Sequence, residues 1–141
     1  MAYTIIEVQK QTGIYSRTLR FWLTKGLFPY VQKDKNGVNY FSKSDVEFAV
    51  WVEFFRFYGM SIKQIKAYNE LCSRGKESIP QRLEIIKKQK KIMQNETKKL
   101  QEATKKLECK IKTYEEMLQK QKDKLNPRSK DYKSCGDSKN W

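Results

Sequence analysis

The sequence predicts a mainly α-helical chain: a head of short helices interrupted by one small β-hairpin, followed by a single very long helix. Three observations predict it. Thr or Ser followed three residues later by Glu, Asp or Gln recurs at Thr4–Glu7, Ser42–Asp45 and Ser61–Gln64, each ahead of an apolar-periodic run. The dipeptide Asn36-Gly37 stands between two short β-prone stretches. After Pro80 the chain runs to Leu125 with neither glycine nor proline.

Thr4 opens the first helix, its hydroxyl satisfying a free amide near Glu7 while the Glu7 carboxylate reaches back. That helix packs Ile5 and Val8 and stops at Gly13, a natural left-handed stop. A second helix starts at Tyr15 or Ser16, runs toward Lys25 and ends at Gly26. Two helices joined by a short turn within about 25 residues form a helix-turn-helix signature. In "FPYVQKDKNGVNYF", residues 28–41, Asn36-Gly37 suits a type I′ turn with both central residues at positive φ. Val31-Gln32 and Val38 to Phe41 then pair as a hairpin. Such a hairpin is marginal alone and leans on the neighbouring helices, as a wing. Ser42 caps the aromatic helix "VEFAVWVEFFRFY", ending at Gly59; Val46, Ala49, Val50, Val52 and Phe54 are assigned mainly to the core. Ser61 caps a helix through Ile65, Tyr68 and Leu71 that stops near Gly75.

From Ser78, read as the cap of "SIPQ", the apolar positions alternate by four and three: Ile79, Leu83, Ile86, Met93, Leu100, Leu107, Ile111, Tyr114, Leu118 and Leu125. Lys90, Thr97, Thr104 and Gln121 interrupt the same seam. Extended to Asn126-Pro127, the helix is about 70 Å long at 1.5 Å per residue, far beyond what a small head can cover. A lone helix leaves this stripe in water, so the pattern reads as a coiled coil that needs a partner strand. The final stretch, "NPRSKDYKSCGDSKNW", has the composition of a disordered basic tail.

Composition bounds the chemistry. Thirty Lys and Arg against 16 Asp and Glu give a formal charge of +14 over 141 residues, which favours a polyanionic partner. Residues 1–75 carry 11 basic and 6 acidic side chains, and 76–125 carry 15 and 8. No run approaches the roughly 18 apolar residues of a membrane span, and "MAYTIIEVQK" is no signal peptide, so a cytoplasmic protein without membrane contact is expected. The chain has no histidine, removing the commonest general base and metal ligand. With neither a nucleophile–base pair nor a phosphate-binding glycine loop, an enzyme is not expected, nor any cofactor or metal. Cys72, Cys109 and Cys135 are odd in number and far apart, against a disulfide scaffold.

Taken in order, the blocks "YTIIEVQKQTGIYSRTLRFW", "GLFP", "NGVNYFSKSDVEF" and "GMSIKQIK" resemble the MerR family of bacterial transcriptional regulators, over residues 3 to about 118. The stretch "SIPQRLEIIKKQKKIMQNETKKLQEATKKLECKIKTYEE" is similar to the dimer helix of members grouped with aldehyde- and nitric-oxide-responsive regulators. The resemblance implies a winged helix-turn-helix DNA-binding head over 1–75, an antiparallel coiled-coil dimerisation helix over 76–125, and the tail over 126–141. It implies a homodimer on a pseudo-palindromic operator in double-stranded promoter DNA, close to RNA polymerase, distorting the spacer to control transcription. The effector is not legible; the chain is too short for the drug-binding domain of larger members.

The recognition helix with its leading turn then supplies Tyr15, Ser16, Arg17, Thr18, Arg20 and Trp22. Arg17 and Thr18 lie where such a helix reaches base edges. Arg20 holds a phosphate or an internal carboxylate, and the Trp22 N–H reaches a phosphate. Phe21 and Trp22 stand where the family commonly has two tyrosines, and Phe21 offers no donor. Ser16 takes over the capping task of a family serine replaced by Tyr15. Lys33, Lys35, Asn39 and Tyr40 of the wing follow the flanking backbone, and Lys63 anchors a phosphate beside the Ser61 cap. Leu83, Ile86, Met93, Leu100, Leu107, Ile111, Tyr114 and Leu118 make the dimer seam. Thiol-responsive relatives use a cysteine where Phe54 stands here, leaving Cys72 as the candidate thiol sensor. Two rival readings remain: a nonspecific architectural DNA binder, and a coiled-coil adaptor for protein or membrane.

Overall fold

A computed structural model describes residues 1–133. The elements run β1 (Ala2–Tyr3), α1 (Ile5–Thr12), α2 (Ser16–Thr24), β2 (Gln32–Lys33), β3 (Asn39–Ser42), α3 (Lys43–Phe57), α4 (Ile62–Ser73), a 3-10 turn at Gly75–Ser78, and α5 (Ile79–Lys120). All three capping boxes form with both reciprocal bonds: Thr4 with Glu7, Ser42 with Asp45, Ser61 with Gln64. Gly13 stops α1 at φ 77°.

The wing differs from the type I′ expectation. The only non-glycine at positive φ among the described residues is Gln121, so Asn36 does not adopt the conformation such a turn demands. Instead the Gly37 N–H donates to the Asp34 carbonyl at 3.0 Å, with Gly37 at φ 83°. The Asp34 N–H closes onto Val38 O at 3.0 Å. This is a three-residue loop, a turn followed by a left-handed glycine, and it moves the strands one residue along, to Gln32–Lys33 and Asn39–Ser42. A third strand, not expected from the sequence, joins them: β1 pairs antiparallel with β3 (Ala2 opposite Ser42, Tyr3 opposite Phe41), giving the order β1-β3-β2.

One apolar core joins α1, α2, the sheet, α3 and α4: Val8, Leu19, Leu27, Phe41, Val52 and Ile65 are fully buried. Phe28 sits edge-on to Phe41 (5.5 Å between centroids) and to Phe48 (5.7 Å), locking the turn after α2 against the wing and α3. Helix α3 buries Val46, Ala49, Val52 and Phe55. Val50 and Phe54, assigned to the core from sequence, are exposed at 48% and 39%. They lie with Trp51, Phe57 and Tyr58 on the outer side of α3, where Trp51 meets Phe54 and Phe54 meets Tyr58.

The first compact unit reaches Lys88, past residue 75. Ile85 packs against the core, and Ser78 is buried rather than acting as a cap. Its hydroxyl donates to Leu71 O and Gly75 O and accepts from Arg82 Nε, tying the end of α4 to the start of α5. Helix α5 ends at Lys120, five residues before the expected Leu125, where Gln121 turns at φ 52°. Residues 126–133, read as disordered, form hydrogen-bonded turns: Ser129 N–H to Asn126 O at 2.9 Å and Tyr132 N–H to Ser129 O at 3.1 Å. The rest of the expected tail, Cys135 included, lies outside the described residues.

Candidate nucleic-acid interface

Helix α2 is amphipathic: Leu19 and Trp22 face the core while Arg17, Arg20 and Phe21 are exposed. Its first turn is secured from outside. Tyr15 is the N-cap residue but makes no side-chain cap bond. The Gln9 side-chain carbonyl of α1 accepts from both the Ser16 N–H and the Ser16 Oγ, each at 2.7 Å. Ser16 is therefore the capped group and not the cap, and α1 fixes the start of α2. Gln9→Ala is expected to lower stability by about 1 kcal/mol, within the 0.5–2 kcal/mol range of lost caps, as read by urea denaturation.

This clamp presents Tyr15, 68% exposed, and Arg17 at the leading edge, with Thr18 half-buried behind them. Neither the Arg17 nor the Arg20 side chain forms an ion pair or hydrogen bond with another described residue, so the internal carboxylate considered for Arg20 is not found. Trp22 is first of all a core residue, 4% exposed and 6.5 Å from Phe28. Its indole N–H has no acceptor among the described residues, and no described side-chain nitrogen or oxygen is both buried and unpartnered. That edge of the ring is what still meets solvent. Asn69 Nδ2 donates to Leu27 O at 3.1 Å, holding α4 to the turn that follows α2.

In the wing, Lys33 and Lys35 are exposed, and Asn39 and Tyr40 half-buried. Asp34, missed from sequence although it precedes the Asn-Gly pair, organises the loop. Its Oδ1 accepts from the Asn36 N–H at 2.8 Å and the Val38 N–H at 2.9 Å, and its Oδ2 accepts from the Tyr40 hydroxyl at 3.1 Å. The Tyr40 hydroxyl, expected to follow a DNA backbone, is thus engaged inside the wing. The Val38 amide above all holds the Asp34 carboxyl below its ordinary range, while the hydrogen bond to Asp34 raises the Tyr40 hydroxyl. A carboxyl depressed in the folded state contributes stability above its unfolded pKa and loses it as pH falls through the folded one. Amide-exchange protection at Asn36 and Val38 is expected to fall on acidification below about pH 4, and at neutral pH in Asp34→Ala.

Lys63 is exposed in the first turn of α4, beside the Ser61–Gln64 box. Along α5, Leu83, Ile86, Leu100, Leu107, Ile111, Tyr114 and Leu118 are exposed, Met93 is half-buried, and no residue of the helix is buried. Cys72 is a half-buried free thiol and Cys109 an exposed one. Burial first, and then the Cys72 thiol, push the Tyr68 hydroxyl above its ordinary pKa, with Arg82 opposing. No helix among the described residues is long and apolar enough to cross a membrane.

Comparison with known proteins places this geometry. The model of the MerR HTH family regulatory protein matches residues 3–71. An uncharacterised HTH-type transcriptional regulator of Haemophilus influenzae is 33% identical over 89 residues, covering 63% of this chain and 66% of that protein. The HTH-type transcriptional regulator AdhR of Bacillus subtilis is 29% identical over 86 residues, 61% of each. The chain thus spans just under two thirds of these curated relatives. Among solved structures, a MerR family transcriptional regulator from Bacillus thuringiensis superposes with a TM-score of 0.71 at 26% identity, over 81% of this chain and all of that one. HiNmlR, a MerR family regulator lacking the sensor domain and solved bound to promoter DNA, gives a TM-score of 0.71 at 30% identity, over 83% of this chain and 93% of that one. With a wing beside an exposed arginine-bearing second helix, and a long helix following the head in the chain, the chain belongs to the MerR family of helix-turn-helix regulators.

Proposed function

We propose that the protein is a homodimeric transcriptional regulator that binds a pseudo-palindromic operator in double-stranded promoter DNA and distorts the spacer within reach of RNA polymerase. The observation that carries the reading is the pair of unneutralised guanidiniums, Arg17 and Arg20, on a helix whose first turn is clamped by Gln9. A fixed helix start is what base reading needs, because a forked guanidinium discriminates guanine only from a defined position. Lys33, Lys35 and Asn39 of the wing and Lys63 of α4 are assigned to the phosphate backbone, which positions a protein without specifying sequence. HiNmlR, a structural neighbour, was solved on promoter DNA.

The exposed α5 stripe supports the dimer, since a single chain leaves its apolar side wet. The aromatic surface of α3, with Phe57 80% exposed, is a second apolar area that assembly would cover. Bending the spacer costs about 1–6 kcal/mol, to be recovered from contacts that form only on the distorted duplex.

Competition binding tests the reading: the purified protein is titrated onto the DNA upstream of its own gene, against a shuffled duplex, at physiological salt. A preference of about a thousandfold or more is expected of a specific regulator. Near-equal binding with steep salt dependence would mark the architectural alternative.

A further inference from the structure

Beyond Lys120 the chain turns back on itself, the Lys122 N–H donating to Met117 O at 3.1 Å and the Lys133 N–H to Lys124 O at 2.9 Å. The fold-back borders a half-open cavity of about 390 Å³ lined by Lys120, Lys122, Lys124, Lys130 and Lys133. Two carboxylates, Glu116 and Asp131, share the lining, with Met117 and Tyr132 supplying its apolar part. None of the five ammonium groups forms an ion pair with another described residue. The partial negative charge of a helix C-terminus accounts for one or two lysines in a last turn, as with Lys120, but not for four more brought in by the return segment. Like charges gathered around one concavity repel, and a ligand carrying several negative charges removes that cost at every contact.

We infer that this cavity binds a small soluble molecule bearing two or three linked phosphates. Its volume accepts such a chain, and the lysine ammoniums, as flexible point charges with three donors each, suit terminal and bridging phosphate oxygens. The inference does not rest on the operator reading, because binding is measured without DNA.

The test is calorimetric titration of the full chain with inorganic triphosphate at physiological salt. Binding of one triphosphate per chain is expected. Lys124→Gln with Lys130→Gln should weaken it by at least about tenfold, the scale of losing one charge-assisted hydrogen bond. Lys98→Gln with Lys105→Gln removes the same charge from the body of α5 and should stay within about twofold. Equal losses in the two double variants would show delocalised attraction and overturn the site, as would no binding by the parent chain. A third result also overturns it: no triphosphate binding, with the first double variant selectively losing affinity for a duplex, assigns these lysines to DNA. Unchanged helicity by circular dichroism guards each comparison.

Discussion

Arg17→Ala is expected to abolish most of the preference for the operator while leaving the protein folded and dimeric. A bidentate arginine–guanine pair discriminates by about 1–3 kcal/mol. A dimer carries two copies, so the loss doubles to about 2–6 kcal/mol, at least thirtyfold in specific affinity. Stability should shift by no more than about 0.5 kcal/mol, because the Arg17 side chain is exposed and bonded to no other described residue. Affinity for a shuffled duplex should fall only by the loss of one charge per copy. Lys35→Ala is the contrasting case. As a phosphate contact on the exposed wing, its removal should weaken operator and shuffled duplex alike and reduce the salt dependence by about one counterion per copy. Parallel salt titrations of both variants separate the roles. An Arg17→Ala protein that still selects its operator would end the assignment of that residue, and with it the claim that the start of α2 reads bases.

What the sequence makes legible follows from the range of the interaction that decides each feature. The three capping boxes close within a single helical turn, so Thr4, Ser42 and Ser61 announce them and nothing distant overrides them. Ser78 has the same local look, yet its hydroxyl is taken by carbonyls at the end of α4, a choice made by packing. The clamp on α2 is similarly tertiary: Gln9 lies seven residues before Ser16 and reaches it only because α1 and α2 are held against a common core. In the wing, the Asn-Gly pair argues for one turn, and the carboxylate of Asp34, accepting two amides, decides for another. Helix α3 failed for a different reason. Aromatics at 48, 51, 54, 55, 57 and 58 surround the helix, so apolarity alone does not define its phase. A one-residue slip, about 100° of rotation, exchanges buried Phe55 for exposed Phe54. At the candidate site, Arg17 stood out as a charge aimed at bases. Arg20 was left between a phosphate and an internal carboxylate, a choice decided only by the fold, which pairs it with no carboxylate among the described residues. Trp22 and Tyr40 were read as DNA contacts alone, because their service to the core and to the wing is decided by packing.

Dimerisation through α5 should be antiparallel, in one register, and Leu100→Asp should destroy it. In an antiparallel coiled coil the a positions of one strand layer against the d positions of the other. Pairing Thr97 with Leu100 of the second copy generates Met93 with Thr104, Lys90 with Leu107, Ile86 with Ile111, Leu83 with Tyr114, and Ile79 with Leu118. Every seam position of α5 then has a partner, and each polar residue faces an apolar one. A shift by one heptad either way leaves two positions at one end uncovered. An in-register parallel dimer stacks Lys90 on Lys90, Thr97 on Thr97 and Thr104 on Thr104, a like-charge layer with two polar ones in the middle of the seam. Leu100 belongs to the central pair, and withdrawing it from water contributes about 1.5–3 kcal/mol per copy. Leu100→Asp forfeits this twice over and adds a carboxylate that the seam cannot solvate, so the dimer should weaken by two to four decades or more, measurable by sedimentation equilibrium. Cysteine pairing tests the register separately, in a background with Cys72, Cys109 and Cys135 replaced by serine. Thr97→Cys with Leu100→Cys should cross-link efficiently under mild oxidation, and Thr97→Cys alone should not. Strong self-cross-linking of the single variant would establish parallel strands instead. The two reading heads would then lie at the same end of the coil, and the half-site spacing expected of an antiparallel coil would have to be revised.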